Sequence, residues 1–178
     1  MLVVVITGPP GAGKSAVLTA LSDALSDHDI AHAAVEVESV VWTHPALSDE
    51  QWLRHVRVHC ELLRDAGHRL LLLAQTLETD DDVAGLLAAV GADQVFLARL
   101  EANPATLAAR ITEREPASWS GLQALVQHAQ ALATSMPDLA GVDLVLSTDG
   151  QRPEAVAERI LAAVPRLAGG EHRGRLGA

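Results

Sequence analysis

The chain has 178 residues, 49% of them hydrophobic but only 2% aromatic, and a formal net charge of −10 from 23 acidic and 13 basic side chains. That length suits one compact domain of roughly 100–200 residues and argues against a two-domain enzyme, while the hydrophobic content excludes disorder. The negative charge, the single Phe and the lack of Tyr exclude a phosphate-backbone partner and a base-stacking platform.

No apolar run approaches the roughly 18–20 residues of a membrane span, and no basic start precedes an apolar stretch with a cleavage site, so a cytoplasmic protein without a membrane partner is expected. Cys60 is the lone cysteine; it forms neither an internal disulfide nor a thiolate zinc site.

Leu2 to Ile6 is an uninterrupted, mostly β-branched run, the pattern of a strand buried on both faces of a parallel sheet. From Lys14 the period changes: Val17, Leu21, Ala24 and Leu25 make the stripe of an amphipathic helix. Ala31 to Val37 reads as the second strand. Ser48 caps a helix that runs to about Ala66 with Trp52, Val56, His59 and Leu63 on one stripe, and Gly67 stops it.

Leu70 to Ala74 is the third strand, and Asp80-Asp81-Asp82 opens a helix at its dipole-favoured end, closed by Gly91. Val95 to Leu100 is the fourth, followed by Asn103 as cap and Pro104 in the first turn of a helix. A long helix through Leu122, Leu125, Val126, Ala129, Leu132, Ala133 and Met136 precedes strand five, Val142 to Leu146. Pro153 opens a last helix and Pro165 closes it; residues 169–178 have no apolar period and are expected to be a disordered tail. Strands alternating with helices imply right-handed crossovers, a parallel sheet covered on both faces, and ligands at the carboxyl ends of the strands.

Gly8-Pro9-Pro10-Gly11-Ala12-Gly13-Lys14-Ser15 fits the phosphate-binding pattern G-x-x-x-x-G-K-[ST], and it falls where a buried strand passes into a helix. Glycines let backbone N–H groups converge on phosphates, the helix N-terminus adds positive potential, Lys14 neutralises the β- and γ-phosphates, and Ser15 offers a hydroxyl to magnesium. Gly8, Gly11, Ala12, Gly13, Lys14, Ser15 and Ala16 are therefore the expected nucleotide contacts.

With this loop in this place, the chain resembles the P-loop small-molecule kinases, a group that includes chloramphenicol phosphotransferase and gluconate, adenylylsulfate and shikimate kinases, with nucleoside monophosphate kinases as more distant relatives. The resemblance covers about residues 2 to 164. It implies an α/β, three-layer P-loop NTPase fold with a five-stranded parallel sheet in the order 2-3-1-4-5, in a domain over residues 1–168. It also implies ATP and Mg2+ as cofactors, and transfer of the γ-phosphate to a hydroxyl of a small-molecule acceptor.

Three further segments fit the resemblance. Val35-Glu36-Val37-Glu38 delivers acids to the carboxyl edge, where the family usually has aspartate to orient magnesium waters or take the acceptor proton. Strand alternation puts Glu36 and Glu38 on one face with Glu38 nearer the tip, which makes Glu38 the catalytic and metal candidate; the alternative is two solvated charges on an edge strand.

In Arg110-x-x-x-Arg114, a helical wheel with Leu107 at zero puts Ile111 at about 40° and Arg114 at about −20°, so Arg114 prolongs the apolar stripe toward the sheet edge. Arginines here begin a lid in the family and steady the transferring phosphoryl group; the alternative is ion pairing with Glu101, Glu113 or Glu115. Residues 115–120 would form a very short lid. Ser147-Thr148-Asp149-Gly150 matches the loop that holds adenine in the family, so Thr148 and Gly150 are cofactor-binding candidates beside the alternative of a plain turn.

Strand three ends Leu73-Ala74-Gln75-Thr76 and lacks the acid of a Walker B motif, which makes Glu38 the main magnesium candidate. Residues 39–67 are where the family varies to suit its acceptor; here they hold Trp42, His44, Trp52, Arg54, His55, Arg57 and His59. His55 and His59 are spaced like a zinc pair but have no third ligand nearby. The one asparagine precedes a proline, so the Asn-Lys-x-Asp guanine motif of GTPases is absent. A small-molecule kinase leads, with two alternatives: a nucleotide-binding protein without transfer, as a sensor or decayed kinase, and a nucleoside monophosphate kinase.

Overall fold

A computed structural model describes residues 1–165; the expected tail at 169–178 lies outside the described residues. The elements are β1 (Leu2–Thr7), α1 (Lys14–Asp27), β2 (Ala33–Glu36), α2 (Asp49–Asp65), β3 (Leu70–Ala74), α3 (Asp80–Val90), β4 (Gln94–Glu101), α4 (Pro104–Arg114), α5 (Leu122–Ser135), β5 (Leu144–Ser147) and α6 (Pro153–Ala163). All four strand pairings are parallel, in the order β2-β3-β1-β4-β5.

The central strands are mostly apolar because both faces are covered, with β3 apolar at all five positions and Thr7 of β1 and Arg99 of β4 as buried polar exceptions. Val4 and Ile6 of β1, Leu70 and Leu72 of β3 and Ala98 and Leu100 of β4 pack with Leu21 of α1, Leu107 and Ile111 of α4 and Ile160 of α6. The alternate residues Val3, Val5, Leu71, Leu73 and Leu97 pack with Val56 and Cys60 of α2 and Leu86 and Val90 of α3. Burial pushes the Cys60 thiol above its ordinary pKa. This division into two cores comes from the two-residue period of a strand.

The edge strands differ from their expected bounds. β2 covers Ala33–Glu36 rather than Ala31–Val37, because its one neighbour, β3, ends at Ala74 opposite Glu36. Beyond it Val37–Ser39 make a single 3-10 turn with Val37 fully buried, so Glu36 and Glu38 do not share a strand face. β5 begins at Leu144 rather than Val142: the Asp143 side chain accepts the Leu97 N–H at 2.8 Å, taking the place of a backbone carbonyl.

The last turn of the expected long helix tightens to a 3-10 turn at Met136–Asp138, whose Met136 carbonyl accepts from the buried Arg99 at 2.7 Å. Among the described residues no helix is long and apolar enough to cross a membrane.

Candidate active site

Thr7 ends β1, and the turn that follows reaches α1 with glycines where backbones crowd. A Cβ at Gly8 would lie 2.4 Å from the Leu100 carbonyl oxygen, and one at Gly11 2.9 Å from that of Leu107. At φ +148° and +82° respectively, both also adopt backbone angles that an L side chain resists. Gly13 is the N-cap of α1 and makes no side-chain cap, and the first turn of α1 carries no acid. Its first N–H groups are thus left for an anion. α2 and α3 present the opposite case at the same edge of the sheet. Both have complete capping boxes, Ser48 with Gln51 and Thr79 with Asp82, and both have acidic first turns.

Lys14 is the only lysine in the chain. Its Nζ donates to the Gly8 carbonyl at 3.0 Å and the Pro9 carbonyl at 3.4 Å. Burial lowers its pKa, against the opposing pull of Glu38 and then Glu36, with Arg114 adding to the depression. Glu38, Glu36 and Arg114 are thus the charged groups whose fields reach Lys14. Ser15 and Ala16 are exposed at the head of α1.

Glu38 stands in the 3-10 turn, where its Oε1 accepts the Thr76 N–H at 3.0 Å and its own carbonyl accepts from the Trp42 indole at 3.0 Å. Trp42 is otherwise 85% exposed. At the end of β3, the Gln75 N–H joins the Ile6 carbonyl at 3.1 Å. Gln75 Oε1 is the buried side-chain polar atom without a partner among the described residues.

The two arginines, expected to act together on the phosphoryl group, stand in different surroundings. Arg114, the last residue of α4, has a side chain 59% exposed and paired with Glu115 at 2.7 Å. The apolar stripe ends at Ile111, so Arg114 does not prolong it and the ion pair forms instead. Arg110 is the half-buried one. Its guanidinium donates to the Gly11 carbonyl at 3.2 Å, the Thr148 hydroxyl at 2.9 Å and the Thr148 carbonyl at 2.9 Å.

Arg110 therefore braces the phosphate loop against the β5–α6 loop, with both terminal nitrogens donating to protein acceptors. Thr148 is buried, and its N–H donates to the Glu101 carbonyl at 2.8 Å. Gly150 turns the chain at φ +64°. The Thr106 side chain and the Asn103 N–H, the latter at 2.8 Å, hold the neighbouring Asp149 carboxyl below its usual pKa.

A cavity of about 560 Å3 is lined by Trp52, Leu53, Leu77, Gln75, Thr76, Gly85 and the acids Asp49, Glu78, Asp81 and Asp82; Glu38 does not line it but accepts the N–H of its lining residue Thr76. Of the residues expected from 39–67, Trp52 alone reaches it. Arg54, His55, Arg57 and His59 line two other grooves on the outer side of α2, of about 340 and 420 Å3. Among the described residues no three His, Cys, Asp or Glu side chains gather as a metal-binding group. The cavity's acids were missed as site residues because each reads in sequence as an ordinary helix-start residue.

Comparison with solved structures bears on the fold. A sugar kinase from a Janibacter species matches with a TM-score of 0.64 at 23% identity, over 94% of this chain and 98% of that one. The fold is that of the P-loop small-molecule kinases. The Mycobacterium tuberculosis APS kinase, solved with AMPPNP and APS, matches with a TM-score of 0.64 at 19% identity, over 90% of this chain and 95% of that one. A gluconokinase from Sinorhizobium meliloti matches with a TM-score of 0.62 at 18% identity, over 93% and 92%. No family model and no curated protein matches the sequence. The kinase-like fold and the 2-3-1-4-5 strand order are as expected from the sequence.

Proposed function

We propose that the protein is an ATP-dependent phosphotransferase that moves the γ-phosphate of ATP to a hydroxyl of a small molecule. The observation that carries this reading is a single juxtaposition. The chain's only lysine stands on an uncapped helix N-terminus, and the acid in its field, Glu38, is hydrogen-bonded to the N–H of Thr76, which lines a cavity of substrate size.

In this reading residues 1–168 form the kinase domain. Gly8, Gly11, Ala12, Gly13, Lys14, Ser15 and Ala16 hold the phosphates, and Thr148 and Gly150 the adenine. The acceptor oxygen bonds to the γ-phosphorus as the bond from that phosphorus to the bridging oxygen of ADP breaks, and the hydroxyl proton passes to the Glu38 carboxylate. Arg114 turns from Glu115 to the transferring group, residues 115–120 act as its lid, and Arg110 positions the nucleotide end by its brace to Thr148.

Ser15 and Glu38 would hold magnesium. They are the oxygen donors that a hard cation takes, and the unpartnered Gln75 Oε1 adds a third oxygen at this edge. When bound, the ion neutralises phosphate charge.

One observation favours the second reading, a nucleotide-binding protein without transfer: Gln75 occupies the strand end where a metal-binding acid is otherwise expected. The lone lysine supplies the first test. An acyl-phosphate derivative of ATP should acylate Lys14, seen by mass spectrometry, and excess ATP should protect it. Lys14→Ala should lose the thermal stabilisation by ATP, about 2.7 kcal/mol at a hundredfold excess over Kd. A screen of hydroxyl compounds for acceptor-dependent ADP release then separates the readings. Tight ATP binding with no transfer to any acceptor supports the second, and absence of both labelling and stabilisation rejects both.

A further inference from the structure

The two sides of α2 differ from those of an ordinary surface helix. Val56 and Cys60 are buried against the sheet, but Val58 and Leu62, one turn apart on the outer side, are 49% and 62% exposed. Arg54 continues their row at the same four-residue spacing. The ridge Arg54-Val58-Leu62 runs between two grooves, one shared with Val40, His55 and His59 and the other, at the Arg54 end, with Glu50, Leu53 and Arg57. Apolar side chains set together in this way mark a contact surface more often than single ones do.

Charge along the ridge is balanced in sign but not paired within the chain. Glu50 precedes Arg54, and Arg57 precedes Glu61, by the four residues that let side chains meet on a helix. All four are exposed, and neither pair is among the ion pairs formed by the described residues. On a helical wheel with Val58 at zero, Leu62 lies at about 40° and His55 at about 60°, with Arg54 at about −40° and Glu61 at about −60°. Arg54 and Glu61 thus share one flank of the ridge, and Leu62 and His55 the other.

We propose that this face binds a second copy of the chain, through an antiparallel α2–α2 contact with a two-fold axis at Val58. A rise of about 1.5 Å per residue puts Arg54 about 6 Å and Glu61 about 4.5 Å from Val58 in opposite directions. Antiparallel packing therefore brings Arg54 of one copy level with Glu61 of the other on the same flank, and the two-fold makes the pair twice. On the opposite flank Leu62 of one copy comes level with His55 of the other, over the groove that Val40 and His59 also line. A uniformly acidic partner would answer the arginines and repel Glu61, and a basic one would do the reverse; a copy of α2 answers both. The inner side of this helix supplies Asp49, Trp52 and Leu53 to the 560 Å3 cavity, so the contact also holds one wall of that cavity.

Sedimentation velocity of the full chain over about 1–200 µM tests this, since one helix pair makes a small interface and a weak dimer. The wild type should sediment as a monomer–dimer equilibrium in that range. Val58→Asp should leave only monomer. Arg54→Glu and Glu61→Arg each set like charges opposite one another, and each should weaken dimerisation about tenfold or more. Both changes in one chain restore opposite charges, as does an equimolar mixture of the two single variants, so dimer should return in either case. Circular dichroism confirms the fold of each variant.

A wild type that stays monomeric throughout overturns the proposal and leaves this face to a partner of other sequence. A dimer that persists in Val58→Asp overturns it by placing the interface elsewhere. Recovery in neither the double variant nor the mixture overturns the antiparallel pairing of Arg54 with Glu61. None of these outcomes depends on phosphoryl transfer, so loss of the phosphotransferase reading would leave the contact standing.

Discussion

Two regions at one edge of the sheet start from the same backbone element and end with opposite chemistry. The helix that follows β1 begins uncapped, without an acid in its first turn and with the chain's only lysine at its head. The helices α2 and α3 begin with complete capping boxes and acidic first turns, and they close around a cavity that holds four carboxylates. A helix N-terminus carries about half a positive charge in either case. What the residues do with that charge decides whether the end is left for phosphate or neutralised and turned negative for something else.

Glu38 is the border between the regions, lowering the energy of the Lys14 ammonium on one side and holding the Thr76 N–H on the other. Glu38→Gln keeps the shape and removes the charge, and it is expected to have the largest effect: turnover falling by about 10²–10⁴-fold, as for loss of a general base. Glu36→Gln should cost far less. If the magnesium concentration for half-maximal rate also rises in Glu38→Gln, the carboxylate serves the metal; if it stays put, the carboxylate serves as base. Wild-type turnover in that variant would return both glutamates to the solvated edge.

The phosphate region was legible in the sequence because its information is local: glycines, lysine and serine at fixed spacing between a β-branched run and a helical period. The central strands were legible for the same reason, since Val3 to Ile6 and Leu70 to Leu73 declare burial on both faces without reference to any partner.

Glu38 was chosen by extending strand alternation through Val37. The chain instead turns there, because an edge strand lasts only as long as its neighbour and β3 stops at Ala74. The helical wheel likewise gave Arg114 the apolar stripe, but the helix ends at that residue and frees it to pair with Glu115, while Arg110 finds Thr148 from a distant loop. The acidic cavity was least legible of all. It exists only when Asp49 and Asp81, on separate helices, are brought together by packing of those helices on β3.

The backbone of the phosphate region can be broken without touching its charge. Gly8→Ala would press a Cβ to 2.4 Å from the Leu100 carbonyl oxygen at a φ of +148°, so β4 or the loop must shift. A loss of about 2–3 kcal/mol in denaturant unfolding is expected, together with weaker ATP stabilisation. The acceptor region can be sharpened by the converse change. Gly85 lies inside α3 and lines the cavity, and a Cβ there would meet only Leu53 Cδ1 at 3.4 Å, an ordinary contact. Gly85→Ala should therefore stabilise the fold by about 0.5–1 kcal/mol through helix propensity while narrowing the cavity. Stabilisation together with weaker acceptor binding would show that the glycine is kept for space.

The smallest effect is expected behind the phosphate region, where Asp149 joins the β5–α6 loop to the start of α4. Its carboxylate accepts the Asn103 N–H at 2.8 Å, and the Thr106 side chain and that N–H together hold its pKa below the usual carboxylate value. A carboxyl whose pKa is depressed by folding contributes stability that is present above the unfolded value, about 3.9, and lost as pH falls through the folded value.

The carboxylate is exposed, so solvent screening limits the contribution to at most about 0.5 kcal/mol. Asp149→Asn keeps an oxygen for the Asn103 N–H but has no proton to take up. Unfolding free energies of the two proteins should therefore differ slightly at neutral pH and converge as pH drops below about 4. A gap that stays constant down to the acid limit would mean that the charge on Asp149 contributes nothing to the loop, which is then held by the uncharged contacts, the Arg110 brace to Thr148 and the Thr148 N–H bond to Glu101.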